Sequence, residues 1–398
     1  MKILLSTDAY TTLTNGVSMV VKTLYNTYTE QGHDVRIITM SGDMRSHHEG
    51  DVYYIPSFRT PIYPDVRLSF VRRHPFINEL KEWRPDVVHI HTEGPAGKLA
   101  KKIAKSASAP IVMTWHTDYA KFAFHKHSSN RIVEWSARRL MAASYRGTNI
   151  ITVPSYKAKA ILDSYRLKHP NMVIPNGIIL SKFTKEVTAE ERKLLLSQLG
   201  ISEKAKILVI VSRLSPEKDI GEIISFFPEL LKKEPELHLL IVGTGPDKKH
   251  LEQMSSKLGI SDSVTFSGFV PHDLTYKYYK LGIAFMSAST FEMHSLTYLE
   301  AMASGLPLIC RNDPCLQGVL TDGVNGFIYN DREEFLSKAL SLIEDDALRE
   351  ELSENSIRIS KNFSEQAFSE RMLDLYKHLI NEHKKMYDKK IKFKEDKK

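Results

Sequence analysis

Cysteine is almost missing from this chain: two residues in 398, Cys310 and Cys315. Their spacing fits no metal-ligand pattern, and two thiols are too few for a disulfide framework. Long hydrophobic runs are missing as well; none approaches the ~18 apolar residues of a membrane span. The opening MKILLSTDAY has too short an apolar centre, and no cleavage-like site, for a secretory leader. No G-x-G-x-x-G fingerprint occurs, which disfavours a nicotinamide cofactor. Aromatics in the first half are not interleaved with Lys and Arg as base-stacking platforms are, and no nucleic-acid motif occurs, so no nucleic-acid partner is expected. These absences together imply a cytoplasmic protein.

What is present is an ordinary globular composition, 42% hydrophobic and 26% charged, with an uneven charge distribution under the net +7. Residues 1–182 carry 25 Lys+Arg against 14 Asp+Glu, residues 183–383 carry 22 against 31, and residues 384–398 carry 8 against 3. A basic first half implies that it faces something anionic, nucleic acid or a membrane surface.

Apolar runs alternate with helical patterns along the whole length. KILLST (2–7), DVRIITM (34–40), DVVHIH (86–91), PIVMTWH (110–116) and NIITVPS (149–155) read as strands, with helices between, one of them near 130–145. The second half repeats the rhythm with KILVIVS (206–212), LHLLIVG (237–243), SVTFSG (263–268), GIAFMSAS (282–289) and PLIC (307–310). Near-continuous apolar strands belong to parallel sheets covered on both faces. The fold class expected is α/β: two tandem doubly wound, Rossmann-like domains, residues 1–182 and 183–363. Ligands are expected in the interdomain cleft, beyond the carboxyl ends of the strands. The lysine-rich tail, 384–398, reads as disordered or as lying on a membrane.

Five places carry chemistry. The loop TDAYTTLTNGVSMVV puts Gly16 at a helix start, where main-chain N–H groups can approach a phosphate; Asn-Gly is equally a plain turn. In VSRLSPEKDI, Arg213 ends a buried strand and Lys218 opens the next helix, two cations suited to a diphosphate. In IVGTGPDKK, Gly243 and Gly245 form a strand-to-helix turn that either approaches a nucleotide or serves packing alone. His116 in MTWHTDY follows a buried strand; a neutral imidazole there can bond a sugar hydroxyl, although a lone histidine is more often structural. His89 and His91 read as structural.

The fifth place is FEMHSLTYLEAMASGLPLIC, 291–310, with Glu292 and Glu300 eight positions apart among small and apolar residues. Ser295 reads as the cap of a helix that stops at Gly305, so the amides of Ser295, Leu296 and Thr297 would face a phosphate. Eight positions at helical rise span ~12 Å. That exceeds the ~5–9.5 Å of a carboxylate pair sharing one glycosidic oxygen. The pair reads as two grips along one extended ligand, sugar at one end and ribose at the other.

Glu292 and Glu300 followed by AMASGLP resemble the signature of the retaining GT-B glycosyltransferases of family 4. NGV, HTDY, IPNGI, SRLSPEK, VGTGP and DGVNGFI resemble that family's other segments, over nearly the whole chain. The resemblance implies a nucleotide-sugar co-substrate, no metal ion and no side-chain nucleophile; no Asp-x-Asp motif occurs. It implies that Glu292 binds donor-sugar hydroxyls, Glu300 the ribose, Arg213 and Lys218 the leaving diphosphate, and His116 the sugar near its anomeric carbon. A last helix, 364–383, would cross back onto the first domain. PIYPDVRLSF, with Tyr63 and Arg67, TWHTDYAKF and LTYLEAMASGLP are similar to diacylglycerol glycosyltransferases. The partners so implied are UDP-glucose or UDP-galactose, a diacylglycerol or monoglycosyl-diacylglycerol acceptor, and the anionic inner face of the cell membrane. Docking candidates are Arg72 and Arg73 beside Phe70 and Phe76, and Arg138 and Arg139 in the 125–139 stretch. Many relatives have Gly in place of Ser295, and Thr-Gln in place of Met293-His294. Rival readings are transfer to a prenyl-diphosphate-linked sugar in surface polysaccharide assembly, a UDP-sugar epimerase, and a nucleic-acid binder.

Overall fold

The computed structural model describes residues 1–8, 10, 16–59, 67–116, 139, 141–167 and 169–395. Tyr63, Arg138 and most of the 125–139 stretch, of the expected helix near 130–145 and of the loop before Gly16 lie outside these residues; residues 141–145 are helical. The chain divides into two compact units, Met1–Gly177 with Glu365–Lys398, and Ile178–Ser364.

The strands of the first unit are β1 (Lys2–Ser6), β2 (Asp34–Met40), β3 (His47–Glu49), β4 (Val52–Ile55), β5 (Phe58–Arg59), β6 (Arg67–Leu68), β7 (Val87–Ile90), β8 (Ile111–Thr114), β9 (Ile150–Val153) and β10 (Asn171–Val173). Eight form one sheet in the order β10-β9-β8-β7-β1-β2-β4-β3, parallel except for the β3–β4 pair, while β5 and β6 make a separate antiparallel ladder. From β1 the chain moves outward through β2 and β4, then returns to β7 on the other side of β1. The topological switch point therefore lies between β1 and β7. Helix Glu365–Glu395 belongs to this unit, and its Tyr376 hydroxyl reaches His89 Nδ1 at 2.5 Å. Its backbone stays helical into the lysine-rich tail.

The second unit carries β11 (Lys206–Val211), β12 (Leu237–Val242), β13 (Val264–Gly268), β14 (Ala284–Ser287), β15 (Leu308–Arg311) and β16 (Gly326–Tyr329), all parallel, in the order β13-β12-β11-β14-β15-β16. Strand alternation splits β11 between two cores: Val209 and Val211 pack on one face, Leu208 and Ile210 on the other. A run apolar at every position is what a sheet covered on both faces demands. Here the switch point lies between β11 and β14. At the edge of the unit, Ile178 N donates to Phe363 O at 2.9 Å and bridges Ser364, so the segment's two ends lie side by side.

Candidate active site

In doubly wound sheets, ligands bind at the carboxyl ends of the two strands flanking the switch point. In the second unit those ends are Ser212–Ser215 after β11 and Ala288–Glu292 after β14. Ser212, Lys218, Ser287, Ala288, Glu292 and Thr297 line one pocket there. Lys218 closes a short 3-10 turn, Pro216–Lys218, and its ammonium donates to Glu292 Oε1. The cation expected at the diphosphate and the carboxylate expected at the sugar are thus hydrogen-bonded to each other. Both side chains are largely buried, 21% and 17% exposed. Arg213 is exposed, and its guanidinium makes no ion pair or hydrogen bond with any described residue.

Gly243 and Gly245 let the second turn close against the first. A Cβ on Gly243 would sit 1.9 Å from Ser212 O, and one on Gly245 would sit 2.1 Å from Leu214 O. In that space Leu214 N donates to Thr244 O and Asp247 N to Leu214 O, both at 3.0 Å. The glycines thereby fix the position of the Arg213 segment.

Helix Leu296–Ala303 follows the Glu292 loop. Ser295 occupies its N-cap position, but its hydroxyl pairs with Thr297 Oγ1 at 2.9 Å and accepts from no first-turn amide. The side-chain cap expected above is therefore not made. The helix ends at Gly305, whose φ of 85° suits a residue without a Cβ. Glu300 is buried within the helix. Its carboxylate accepts from Tyr279 Oη and meets His272 Nε2, each at 2.9 Å. Burial, then the Glu300 carboxylate, pushes the Tyr279 phenol well up. Sequence reasoning missed both His272 and Tyr279. His294, two residues past Glu292, has both ring nitrogens buried without a partner, and burial pushes it down to about 4.

The remaining candidates lie in the first unit. Gly16 opens helix Gly16–Glu30. His116 follows β8, with Nε2 3.0 Å from His91 Nδ1. Arg67 is buried; it donates to Ser57 Oγ at 3.1 Å and Gly42 O at 2.7 Å. Placed among the acceptor or membrane residues by sequence, this guanidinium is a strut inside the unit and presents nothing to a lipid surface. Arg72, Arg73 and Phe70 are exposed, Phe70 by 81%, whereas Phe76 packs against Tyr53 and His48. Arg139 is exposed.

Two tandem Rossmann-like units, the second with a basic and an acidic side chain meeting at its switch point, are the architecture of the GT-B class. The pattern of the family described as Glycosyltransferase Family 4 matches residues 14–182, and that of Glycosyl transferases group 1 matches residues 191–359. The chain belongs to this family. It is 33% identical over 331 residues to the alpha-monoglucosyldiacylglycerol synthase of Streptococcus pneumoniae, covering 83% of this chain and 75% of the relative. It is 31% identical over 403 residues to the enzyme of the same name from Acholeplasma laidlawii, covering 98% and 100%. Among solved structures, the Anabaena protein HepE in complex with UDP and glucose superposes with a TM-score of 0.73 at 17% identity, covering 95% of this chain and 100% of that one. That likeness concerns the fold.

Proposed function

We propose that the chain is a retaining hexosyltransferase that moves glucose or galactose from a UDP-hexose to diacylglycerol, or to a monoglycosyl-diacylglycerol, at an anionic membrane face. The observation that carries this reading is the Lys218–Glu292 pair at the switch point, with the exposed Arg213, unpaired with any described residue, on the same loop after β11. Each member of the pair neutralises the other. A diphosphate draws Lys218 away and gains Arg213 as a second cation. Glu292 is then released to accept hydrogen bonds from neighbouring hexose hydroxyls. Glu300 already spends one lone pair on each oxygen, and a carboxylate has about four acceptor sites. It therefore keeps capacity for the ribose hydroxyls.

In the transfer, the acceptor oxygen bonds to the anomeric carbon as the bond from that carbon to the phosphate oxygen breaks. The departing phosphate takes the acceptor's proton on the same face, so the configuration is retained. Lys218 and Arg213 stabilise the charge that develops on the phosphate oxygens. No step in this reading requires a metal ion.

The lipid acceptor is supported by the two synthases named above. Docking is supported by the exposed Phe70, Arg72 and Arg73. Among the described residues, no helix is long and apolar enough to cross a membrane. The test is incubation with a panel of UDP-sugars and vesicles containing diacylglycerol or its monoglycosyl form, with product identification by mass spectrometry and NMR. An α-linked glycolipid is expected. Transfer only to a prenyl-diphosphate-linked sugar would overturn the acceptor, and absence of UDP binding in calorimetry would overturn the donor.

A further inference from the structure

The pocket at the second switch point has a buttress that the reading above leaves unused. Lys218 stands at the end of a single 3-10 turn, too short to fix a side chain by its own hydrogen bonds. The next residue, Asp219, has φ 50° and ψ 36°, a left-handed conformation that costs free energy for any residue with a Cβ. Asp219 also occupies the N-cap position of helix Ile220–Lys233, yet its carboxylate accepts from no first-turn amide. An Asp at that position ordinarily does. The junction between turn and helix therefore does not support itself.

Its support comes from the neighbouring strands. Arg311 and Tyr329 end β15 and β16 and are register partners across that pair. Arg311 Nη1 donates to Glu222 Oε2 and lies 3.7 Å from Asp219 Oδ2. Tyr329 Oη donates to Glu222 Oε1 at 2.8 Å. Burial, then Glu222, pushes the Tyr329 phenol well up, so it stays a donor. One guanidinium thus grips the carboxylates of Asp219 and Glu222, and a buried phenol holds the second of them. On its other side the turn is tied by Ser289 Oγ, which donates to Glu217 O at 3.4 Å. The body of the helix needs no such anchor, because Ile223, Ile224, Phe227 and Leu230 are buried in the core behind it. What Arg311 fixes is the junction, and the junction carries Lys218. Ile220 and Ile223, just beyond it, line the same pocket as Lys218 and Glu292.

We propose that Arg311 is a positioning residue for Lys218: by holding Asp219 and Glu222 it keeps the Pro216–Lys218 turn in the arrangement that points the ammonium at Glu292 and into the pocket. A lysine is a point charge on a flexible four-carbon stem, so its use to a diphosphate depends on a fixed root. Arg311 spends its own charge on two carboxylates and is not itself a phosphate ligand. This deepens the glycosyltransferase reading and rests on it only for the identity of the ligand.

The test compares the full chain with Arg311→Met, which keeps a long stem and removes both ion pairs. A double-mutant cycle of Lys218→Ala and Glu292→Gln in urea unfolding should show coupling in the wild-type background and none in Arg311→Met. In calorimetry with UDP, Lys218→Ala should weaken binding in the wild-type background. In Arg311→Met it should change affinity by less than about twofold. A bystander charge would instead leave the full effect of Lys218→Ala in place. In transfer assays, Arg311→Met should lower kcat about tenfold to a hundredfold, and Arg311→Lys, which can reach one carboxylate, should recover part of the loss. Equal Lys218–Glu292 coupling in the two backgrounds, or no coupling in wild type, overturns the proposal. So does a full Lys218→Ala effect on UDP in Arg311→Met. If Arg311→Met does not fold, Glu222→Gln, of the same shape, is put through the same comparison; failure of both to fold assigns these contacts to stability and overturns the proposal equally. If UDP does not bind the wild-type chain, the donor reading fails while the unfolding cycle still decides this point.

Discussion

Glu292→Gln is expected to tighten UDP binding while abolishing transfer. Lys218 is held by Glu292, so a diphosphate that takes Lys218 must compete with that carboxylate. Exposed ion pairs contribute ~0.2–1 kcal/mol. Removing one partner of a fully buried pair costs ~3–5 kcal/mol. With side chains 21% and 17% exposed, this pair lies between those limits. A coupling of about 1–2 kcal/mol is a reasonable figure after allowing for water at the pocket mouth. At about 1.4 kcal/mol per decade, releasing Lys218 should strengthen UDP roughly five- to thirtyfold. The assay is calorimetry with UDP itself, which lacks the hexose that Glu292 would grip; with UDP-glucose the gain should shrink. Transfer should fall to background because the sugar is no longer held. A UDP affinity unchanged or weakened in a folded Glu292→Gln protein would refute the competition, and near-normal turnover would refute the sugar contact. Lys218→Ala should weaken UDP and slow transfer on the order of 10²–10³.

Glu300→Ala strands the Tyr279 hydroxyl and His272 Nε2 in a buried site, and should cost the second unit about 2–4 kcal/mol in urea unfolding. Tyr279→Phe, which removes one hydrogen bond only, should cost less. Arg72→Ala and Arg73→Ala should each weaken binding to anionic vesicles by about 1 kcal/mol. Arg67→Ala should leave vesicle binding intact and lower stability by about 2–3 kcal/mol, because Ser57 and Gly42 lose their donor. Burial, with Asp8 nearby, pushes the Glu93 carboxyl up to about 7 from an ordinary 4.5. The folded chain then keeps a proton that the unfolded chain releases, so stability should fall as pH rises from about 4.5 to about 7. Glu93→Gln should flatten that slope, gaining on the order of 2 kcal/mol over wild type at about pH 8 in pH-dependent unfolding.

The fold class was legible because β11 is apolar from Ile207 to Val211 and β12 at every position but His238, with no alternation, as in a parallel sheet covered on both faces. Short elements such as β5 and β6 were not legible, since two-residue ladders leave no periodicity. At the site, Lys218 and Glu292 each stood out by residue type at a strand's carboxyl end. Their meeting across 74 positions was invisible, because spacing along a chain does not report where two side chains converge. The partners of Glu300 were hidden for a similar reason: nothing in PHDLTYKYY distinguishes His272 or Tyr279 from surface residues. Arg67 misled in the opposite sense. The segment PIYPDVRLSF made it a docking candidate, and only its hydrogen bonds to Ser57 and Gly42 reveal an internal brace.

The bridge between Ile178 and Ser364 gives the second unit the anatomy of an insert. Its entrance and exit are stitched to each other by its own backbone, so cutting there severs two neighbouring strands of chain and no hydrophobic layer of that unit. Such a segment can be transplanted: residues 178–364 could be lifted out, closed with a short linker, or exchanged for the equivalent segment of a relative with another donor preference. If that unit binds the donor as proposed, such an exchange would change the sugar delivered without rebuilding the half of the chain that surrounds the insertion point.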